Sequence, residues 1–578
     1  MSNSTTYKQE VKEKSRIEIW SNAVKKLTIE REHQRILNPN YIRRLWDYAF
    51  DEILPDKLDR DPDERFIESW TDFSNNSYEK KQPQQLKVAY FCGPEPENDL
   101  TIMTDLGILV ENVWAIESDK EIYHSALTKA KKTYPTLKIF NGSISDLLKI
   151  TSFKFDIIYL DFTAPLFSKQ SKPLLTINSV FENNSLSDLG ILVINSCVPD
   201  ATEENIEFLA SYFRSQPFLE SDVLLGPEKS GFFAEGADTY GFIDQESYDC
   251  AVAEGDFEYV KDQPIYENAI RSNFGAAYSA FSSHYPVMIA GYMQPMWRIA
   301  NNPSLKRMLL KIDDPKIRAC IEKMMTLRDY ESEESDMTEE LEDKFQVSGG
   351  EVFENHQEFP IWNFMLRLKE SKNAVSKYWY EQFSRKNGAA SLLESVQLYD
   401  LLRNAQYSYK ETLSEMLSDS IDQVISALPD PHGGIFCDVP MEHLWIELAI
   451  NHMGNSYHAN TNQHWRAKYQ AKSREMYLDM FVFDNCRSLY NWLPMINLYG
   501  QDMASIERQI IVRSCMDAIT KQNHYSAFFS YYGANLIGVN SKRWSDFGEL
   551  IARKDLNLKP VSLLDDDPGS SLAPSSLA

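Results

Sequence analysis

Four residues in the first third of the sequence have the types and positions of a nucleotide-binding site. They lie at or just after the ends of short apolar runs: Gly93, Glu117, Asp146 and Asp161. A glycine lets the backbone approach a ligand closely, and an acid about 20 residues further on accepts hydrogen bonds from ribose hydroxyls. Glu117 follows Gly93 by 24 residues. The spacing therefore predicts a site for a nucleoside cofactor, with Glu117 on the ribose.

The segment from about residue 86 to 199 must position these four residues, and it alternates between short apolar runs and helical stretches. The runs are rich in Val, Ile, Leu and aromatic residues: LKVAYFCG, VENVWAIESD, TLKIFNG, KFDIIYLDF and GILVINSC. Strands of a parallel sheet are buried on both faces and have this composition. The alternation predicts an α/β doubly wound sheet, in which ligands bind at the carboxyl ends of the strands.

The order of these features resembles the Rossmann-like domain of class I S-adenosylmethionine (SAM) dependent methyltransferases. The resemblance covers residues 86–199 of the 578. It implies that the turn at Gly93 contacts the methionine part of SAM, that Glu117 binds the ribose, and that the polar turn containing Asp146 holds the adenine. Asp161 then occupies the catalytic position, nearest to the methyl acceptor.

The first loop departs from the pattern of that family. Its members usually carry a strand acid and a run like GxGxG, whereas this sequence has Tyr90 and Phe91 followed by a single glycine. Glu95 or Glu97 is the candidate replacement for the missing acid, as a ligand of the methionine ammonium. The fourth turn, DFTAP (161–165), only partly resembles the (D/N/S)PP(Y/F) turn found in amino-group methyltransferases.

Two functions from different classes follow. The first is a SAM-dependent methyltransferase acting on a macromolecular substrate, protein or nucleic acid, because the helical additions far exceed what a small acceptor requires. The alternative is a catalytically inactive methyltransferase-like scaffold or sensor subunit of a protein complex, since a fold can outlast its chemistry. A different nucleotide in the same crevice is a third, weaker possibility. The plainer interpretations are an ordinary turn at Gly93, a surface acid at Glu117 and a helix N-cap at Asp146.

The rest of the chain is predicted to be mostly α-helical, with large helical regions on both sides of the α/β segment. One helix is indicated by the apolar stripe from Leu413 to Leu428, and an acidic linker by residues 331–343. The predicted units are an N-terminal helical region (1–85), the Rossmann-like domain (86–225), a loop-rich and helical extension (226–345), a C-terminal helical domain (346–555) and a disordered tail (556–578).

Composition limits the partners. The chain has 59 basic and 85 acidic residues, a net charge of −26, which opposes general binding to nucleic acid and leaves a local basic patch as the route to it. We therefore expect a protein partner, bound through the helical regions. Seven scattered cysteines, no secretory apolar core at the start and no apolar run of about 20 residues predict a cytoplasmic protein that does not enter a membrane.

Two further motifs are weaker. His452, His458 and His464 recur at six-residue intervals, which does not keep one helix face, so no metal site is expected. The segment HWRAKYQAKSR (464–474) mixes aromatic and basic residues, which can bind nucleic acid by stacking and charge. We favour an amphipathic helix with its aromatic side chains in the core.

Overall fold

A computed structural model describes most of the sheet and the helices around it. The described residues are 10–35, 64–213, 263–272, 274–311, 315, 360–386, 390–396, 414–415, 419, 457–460, 463–471, 474–485 and 561–562. The acidic linker 331–343 and most of the Leu413–Leu428 stripe lie outside these residues.

The described strands form one mixed sheet. Its members are β1 (Val88–Phe91), β2 (Val113–Glu117), β3 (Lys138–Asn141), β4 (Phe155–Asp161), β5 (Leu186–Cys197), β6 (His458–Ala459), β7 (Trp465–Ala471), β8 (Arg474–Asp484) and β9 (Val561–Ser562). The order is β3-β2-β1-β4-β5-β8-β7-β9, and β6 pairs with β8. Strands β1 to β5 are parallel, β8 is antiparallel to β5, and β7 is antiparallel to β8. The α/β character predicted from the sequence is therefore confirmed.

Helices cover both faces of the sheet. They are α1 (Glu10–Leu27), α2 (Arg31–Gln34), α3 (Glu64–Ser77), α4 (Glu97–Asp105), α5 (Lys120–Thr133), α6 (Ile144–Ile150), α7 (Pro173–Glu182), α8 (Glu203–Phe213), α9 (Gln263–Ser272), α10 (Phe274–Met288), α11 (Gln294–Ala300), α12 (Pro303–Leu309), α13 (Pro360–Glu370) and α14 (Ala374–Ser384). None of the described helices has both the length and the apolar character that a membrane crossing requires.

Alternate residues of each central strand enter different cores. In β4, Ile157 and Tyr159 face the core that contains α1, α4 and α5, whereas Ile158 and Leu160 face the core that contains α6, α7, α8 and the later helices. This alternation follows from the two-residue period of a strand, and burial on both faces explains why the run is apolar throughout.

Helix α1 lies across the first of these faces, antiparallel to the parallel strands. In its first half, Arg16 lies 3.4 Å from Asp99 at the start of α4. The ring of Trp20 packs 5.6 Å from that of Tyr159, near the carboxyl end of β4. Near its end, Lys26 donates a hydrogen bond to Gln463, just before β7. The amino-terminal part of α1 therefore lies over the edge of the sheet where the parallel strands end.

The C-terminal part of the chain corrects one prediction. Residues 465–471 and 474–484 form the β7–β8 hairpin, so the amphipathic helix predicted at 464–474 is wrong. In β7, Ala467, Tyr469 and Ala471 are buried while Lys468 and Gln470 are exposed, which is the two-residue period of a strand. In the predicted disordered tail, residues 561 and 562 form β9 and pair with β7.

Candidate functional site

The candidate site lies where the sheet changes direction. From β1 the chain builds outward through β2 to β3, and it then returns to place β4 on the other side of β1. Connections that leave neighbouring strands in opposite directions open a crevice at their carboxyl ends. Gly93 follows β1, Glu117 ends β2 and Asp161 ends β4, so these three predicted residues lie at the carboxyl ends of three adjacent strands, the edge at which such a crevice opens.

The turn after β1 needs its glycine. Gly93 has a φ of +56°, a conformation that costs a residue with a Cβ about 1–2 kcal/mol. A Cβ built at this position would meet no atom within 4 Å, so the backbone faces open space. The turn is held from the protein interior, because the buried Tyr90 hydroxyl donates a 3.0 Å hydrogen bond to the carbonyl of Pro96.

Glu117 is half-buried beside this turn. Its Oε1 accepts a 2.8 Å hydrogen bond from the backbone N–H of Asp119. Burial raises the pKa of the Glu117 carboxyl. Burial and, next, the charge of Glu117 raise the pKa of Cys92 to about 12. The Cys92 N–H donates to the Ile116 carbonyl at 3.2 Å, so Glu117 follows directly beside the β1 turn. Asp119 caps helix α5 and keeps the strand end in place.

Asp146 lies in the first turn of α6, and the plainer interpretation, that it is the N-cap of that helix, is wrong. Ser143 is the N-cap, and its hydroxyl oxygen accepts a 3.2 Å hydrogen bond from the backbone N–H of Asp146. The same hydroxyl donates to Asp146 Oδ2 at 2.7 Å. The turn is joined to β2 by the Gly142 N–H, which donates to the Glu117 carbonyl at 3.0 Å. Asp146 is exposed. It follows β3, which is separated from β1 and β4 by β2, the strand that ends in Glu117.

Asp161 belongs to a polar cluster that includes the hairpin. The Nδ2 of buried Asn195, on β5, donates to Asp161 Oδ1 at 2.6 Å and to the Tyr469 hydroxyl at 2.8 Å. Burial and the charge of Asp161 raise the pKa of Tyr469. Asp161 itself is partly exposed. The cluster gives its carboxylate a fixed orientation and leaves part of it accessible.

Three residues that the sequence did not single out connect α1 to the crevice. Trp20 Nε1 donates to Asp99 Oδ1 at 2.9 Å, and Arg16 Nε lies 3.4 Å from Asp99 Oδ2. Burial raises the pKa of the Asp99 carboxyl, and the charge of Arg16 opposes that shift. Arg16 and Trp20 are four residues apart on one face of α1. That spacing was the available signal, but their partner lies about 80 residues away.

His464 has a structural partner in the hairpin. Its Nε2 lies 3.1 Å from Asp479 Oδ1, and its ring stacks on Phe481 at 4.7 Å. Arg466 forms an ion pair with the same carboxylate. Within the part of the chain that the structure describes, no three His, Cys, Asp or Glu side chains are grouped as metal ligands would be.

No protein-family profile, no curated protein and no solved structure matches this chain.

Proposed function

We propose that this protein is a SAM-dependent methyltransferase that acts on a macromolecular substrate. The observation that carries the proposal is the position of Gly93, Glu117 and Asp161 at the ends of three adjacent strands, β1, β2 and β4, around one crevice. In class I methyltransferases the same three strand ends serve the methionine, the ribose and the methyl acceptor.

The arrangement of the sheet also supports the proposal. Five parallel strands in the order β3-β2-β1-β4-β5 are extended by a hairpin whose inner strand, β8, is antiparallel to them. The class I methyltransferase sheet has this type of arrangement, with one antiparallel strand inserted beside the fifth. A simple parallel Rossmann sheet does not.

The residues fit SAM chemically. The open space at Gly93 leaves room for a ligand against the backbone, and the half-buried Glu117 carboxyl can accept hydrogen bonds from both ribose hydroxyls. When bound, SAM supplies a methyl group on a positively charged sulfur. Asp161, partly exposed at the end of β4, would accept a hydrogen bond from the acceptor group and orient it. Such a displacement depends mainly on orientation and on exclusion of water.

A macromolecular acceptor fits the distribution of helices. Helices α8 to α11, α13 and α14 cover the face of the sheet opposite α1 and share one extensive core with its strands. This surface exceeds what positioning a small molecule requires. The net charge of −26 favours a protein substrate, or nucleic acid through a local basic patch.

Calorimetric titration with SAM and with its demethylated product, S-adenosylhomocysteine, tests the proposal. We expect both to bind, and we expect Glu117→Ala to weaken both by roughly 100-fold, because two hydrogen bonds to a charged group are lost. Glu111→Ala is the control, since this exposed acid lies at the opposite end of β2. If the folded protein bound neither compound, the proposal would fail and the scaffold function would be favoured.

A further inference from the structure

Two oppositely charged side chains, Arg16 and Glu97, lie near the end of β1 with hydrogen-bonding capacity that the described residues do not fill. Tyr90 occupies the strand position where the acid was expected, and its hydroxyl is bonded to Pro96, the residue before α4. Glu97 is the first residue of α4, and Arg16 reaches the same place from α1. Asp99, which lies 3.4 Å from Arg16, and Glu97 both belong to the first turn of α4, so Arg16 and Glu97 lie at the same helix end, beside the end of β1.

Arg16 is held at one end of its guanidinium. The Nε is 3.4 Å from the buried Asp99 carboxylate, and the side chain remains 15% exposed. Among the described residues, the terminal nitrogens of Arg16 have no hydrogen-bond acceptor. A guanidinium has five N–H donors in a planar fork, so it can keep Asp99 and also bind a second carboxylate.

Glu97 differs from its neighbour Glu95. Glu95 is already engaged, because its carboxylate binds Lys129 at 2.9 Å and Asn98 at 3.1 Å. In Glu97 one carboxylate oxygen, Oε2, is buried and has no hydrogen-bond partner in the described structure. An acid that merely complements the start of a helix would be solvated. A buried oxygen without a donor is unfavourable, and an ammonium group from a ligand would satisfy it.

We propose that Arg16 and Glu97 bind the α-amino-acid end of the ligand, with Arg16 on its carboxylate and Glu97 on its ammonium. This inference rests on the proposed function, because SAM is a nucleoside that ends in an α-amino acid. It selects Glu97 over Glu95 as the replacement for the missing strand acid. It also makes α1 part of the binding site, held there by Asp99.

The test compares two nucleosides that differ at this end. S-adenosylhomocysteine carries the amino acid, and 5′-methylthioadenosine lacks it. We expect Arg16→Met and Glu97→Gln each to weaken S-adenosylhomocysteine about 10- to 100-fold in calorimetric titration and to change 5′-methylthioadenosine by less than about 2-fold. Glu95→Gln and Lys14→Met, on the exposed side of α1, are the matched controls and should change neither affinity.

The outcomes separate the two proposals. If the unmodified protein binds both nucleosides and the two variants weaken both equally, or weaken neither, the assignment of Arg16 and Glu97 is overturned while the proposed function stands. If the unmodified protein binds neither nucleoside, the proposed function fails and this inference fails with it. Glu97→Gln leaves the Asp99 contacts of α1 intact, so its result holds even if Arg16→Met unfolds the helix.

Discussion

Arg466→Met is expected to reduce the free energy of unfolding by about 3–5 kcal/mol, because it leaves a carboxylate buried without its cation. Asp479 is 1% exposed, as is Arg466. Burial raises the pKa of Asp479, but the charge of Arg466 and then the contact with His464 outweigh it, and the pKa is lowered overall. The carboxylate is therefore charged at neutral pH and depends on Arg466.

The size of the effect follows from the partners that remain. In the variant, Asp479 keeps a 3.0 Å hydrogen bond from Ser283 and the contact with His464 at 3.1 Å. These partners place the expected loss near the lower end of the range, at about 3 kcal/mol. Arg466 also donates to the Ser279 carbonyl at 3.0 Å, a contact that methionine cannot replace. Replacing both charges, in Arg466→Met/Asp479→Leu, should restore stability to within about 1–2 kcal/mol of the unmodified protein.

Urea unfolding followed by tryptophan fluorescence measures these differences, provided that the slope of the transition is unchanged. Lys468→Met is the control on the same strand, since its ion pair with Glu475 is on the surface and is worth at most about 1 kcal/mol. A single variant within about 1 kcal/mol of the unmodified protein would refute the reasoning. A double variant that loses the sum of the two single losses would also refute it.

Two further predictions concern single residues. Burial lowers the pKa of Lys26 to about 8 from its usual 10.5, so the unfolded chain binds this proton more tightly and folding gains stability as pH rises from 8 to 10.5. Lys26→Met should therefore raise the Tm at pH 7 by an amount equivalent to about 1–3 kcal/mol. The difference in Tm between the variant and the unmodified protein should shrink by pH 10. A difference that stays constant with pH would contradict the burial of a charged lysine as its cause. Gly93→Ala should lower the free energy of unfolding by about 1–2 kcal/mol in urea unfolding, because only the backbone conformation opposes the methyl group; a loss above about 3 kcal/mol would mean that the turn is more crowded.

The part of the fold that could be predicted is the part with local signals. The apolar runs of β1, β4 and β5 are buried on both faces, and a residue that ends such a run must lie at the edge of the sheet. Asp161, which ends β4, was located in this way, and Glu117 was located from the similar run of β2. The function assigned to that edge stays a prediction.

The hairpin could not be predicted, because its pattern is ambiguous. In β7 the buried positions alternate, but the charged Arg466 is also buried, so the two-residue period of a strand is not visible in the sequence. Its partner Asp479 is on β8, so the sequence gives no local reason to bury either charge. Tyr469 and Asn195 meet across 274 residues, and no window of sequence relates them. The contact between α1 and Asp99 could not be predicted for the same reason, because its partners are far apart in the sequence.

The pairing of β5 with β8 also sets the order in which the protein is completed. Residues 189–197 pair with residues 476–484, so nearly 280 residues must be synthesised after the first strand before the second is available. At about 5–20 residues per second, the hydrogen-bonding edge of β5 waits roughly 15–55 s for its partner. Glu117 and Asp161 emerge on the nascent chain early, and Tyr469 joins them late. The polar cluster around Asp161 is therefore among the last features of the sheet to form during synthesis.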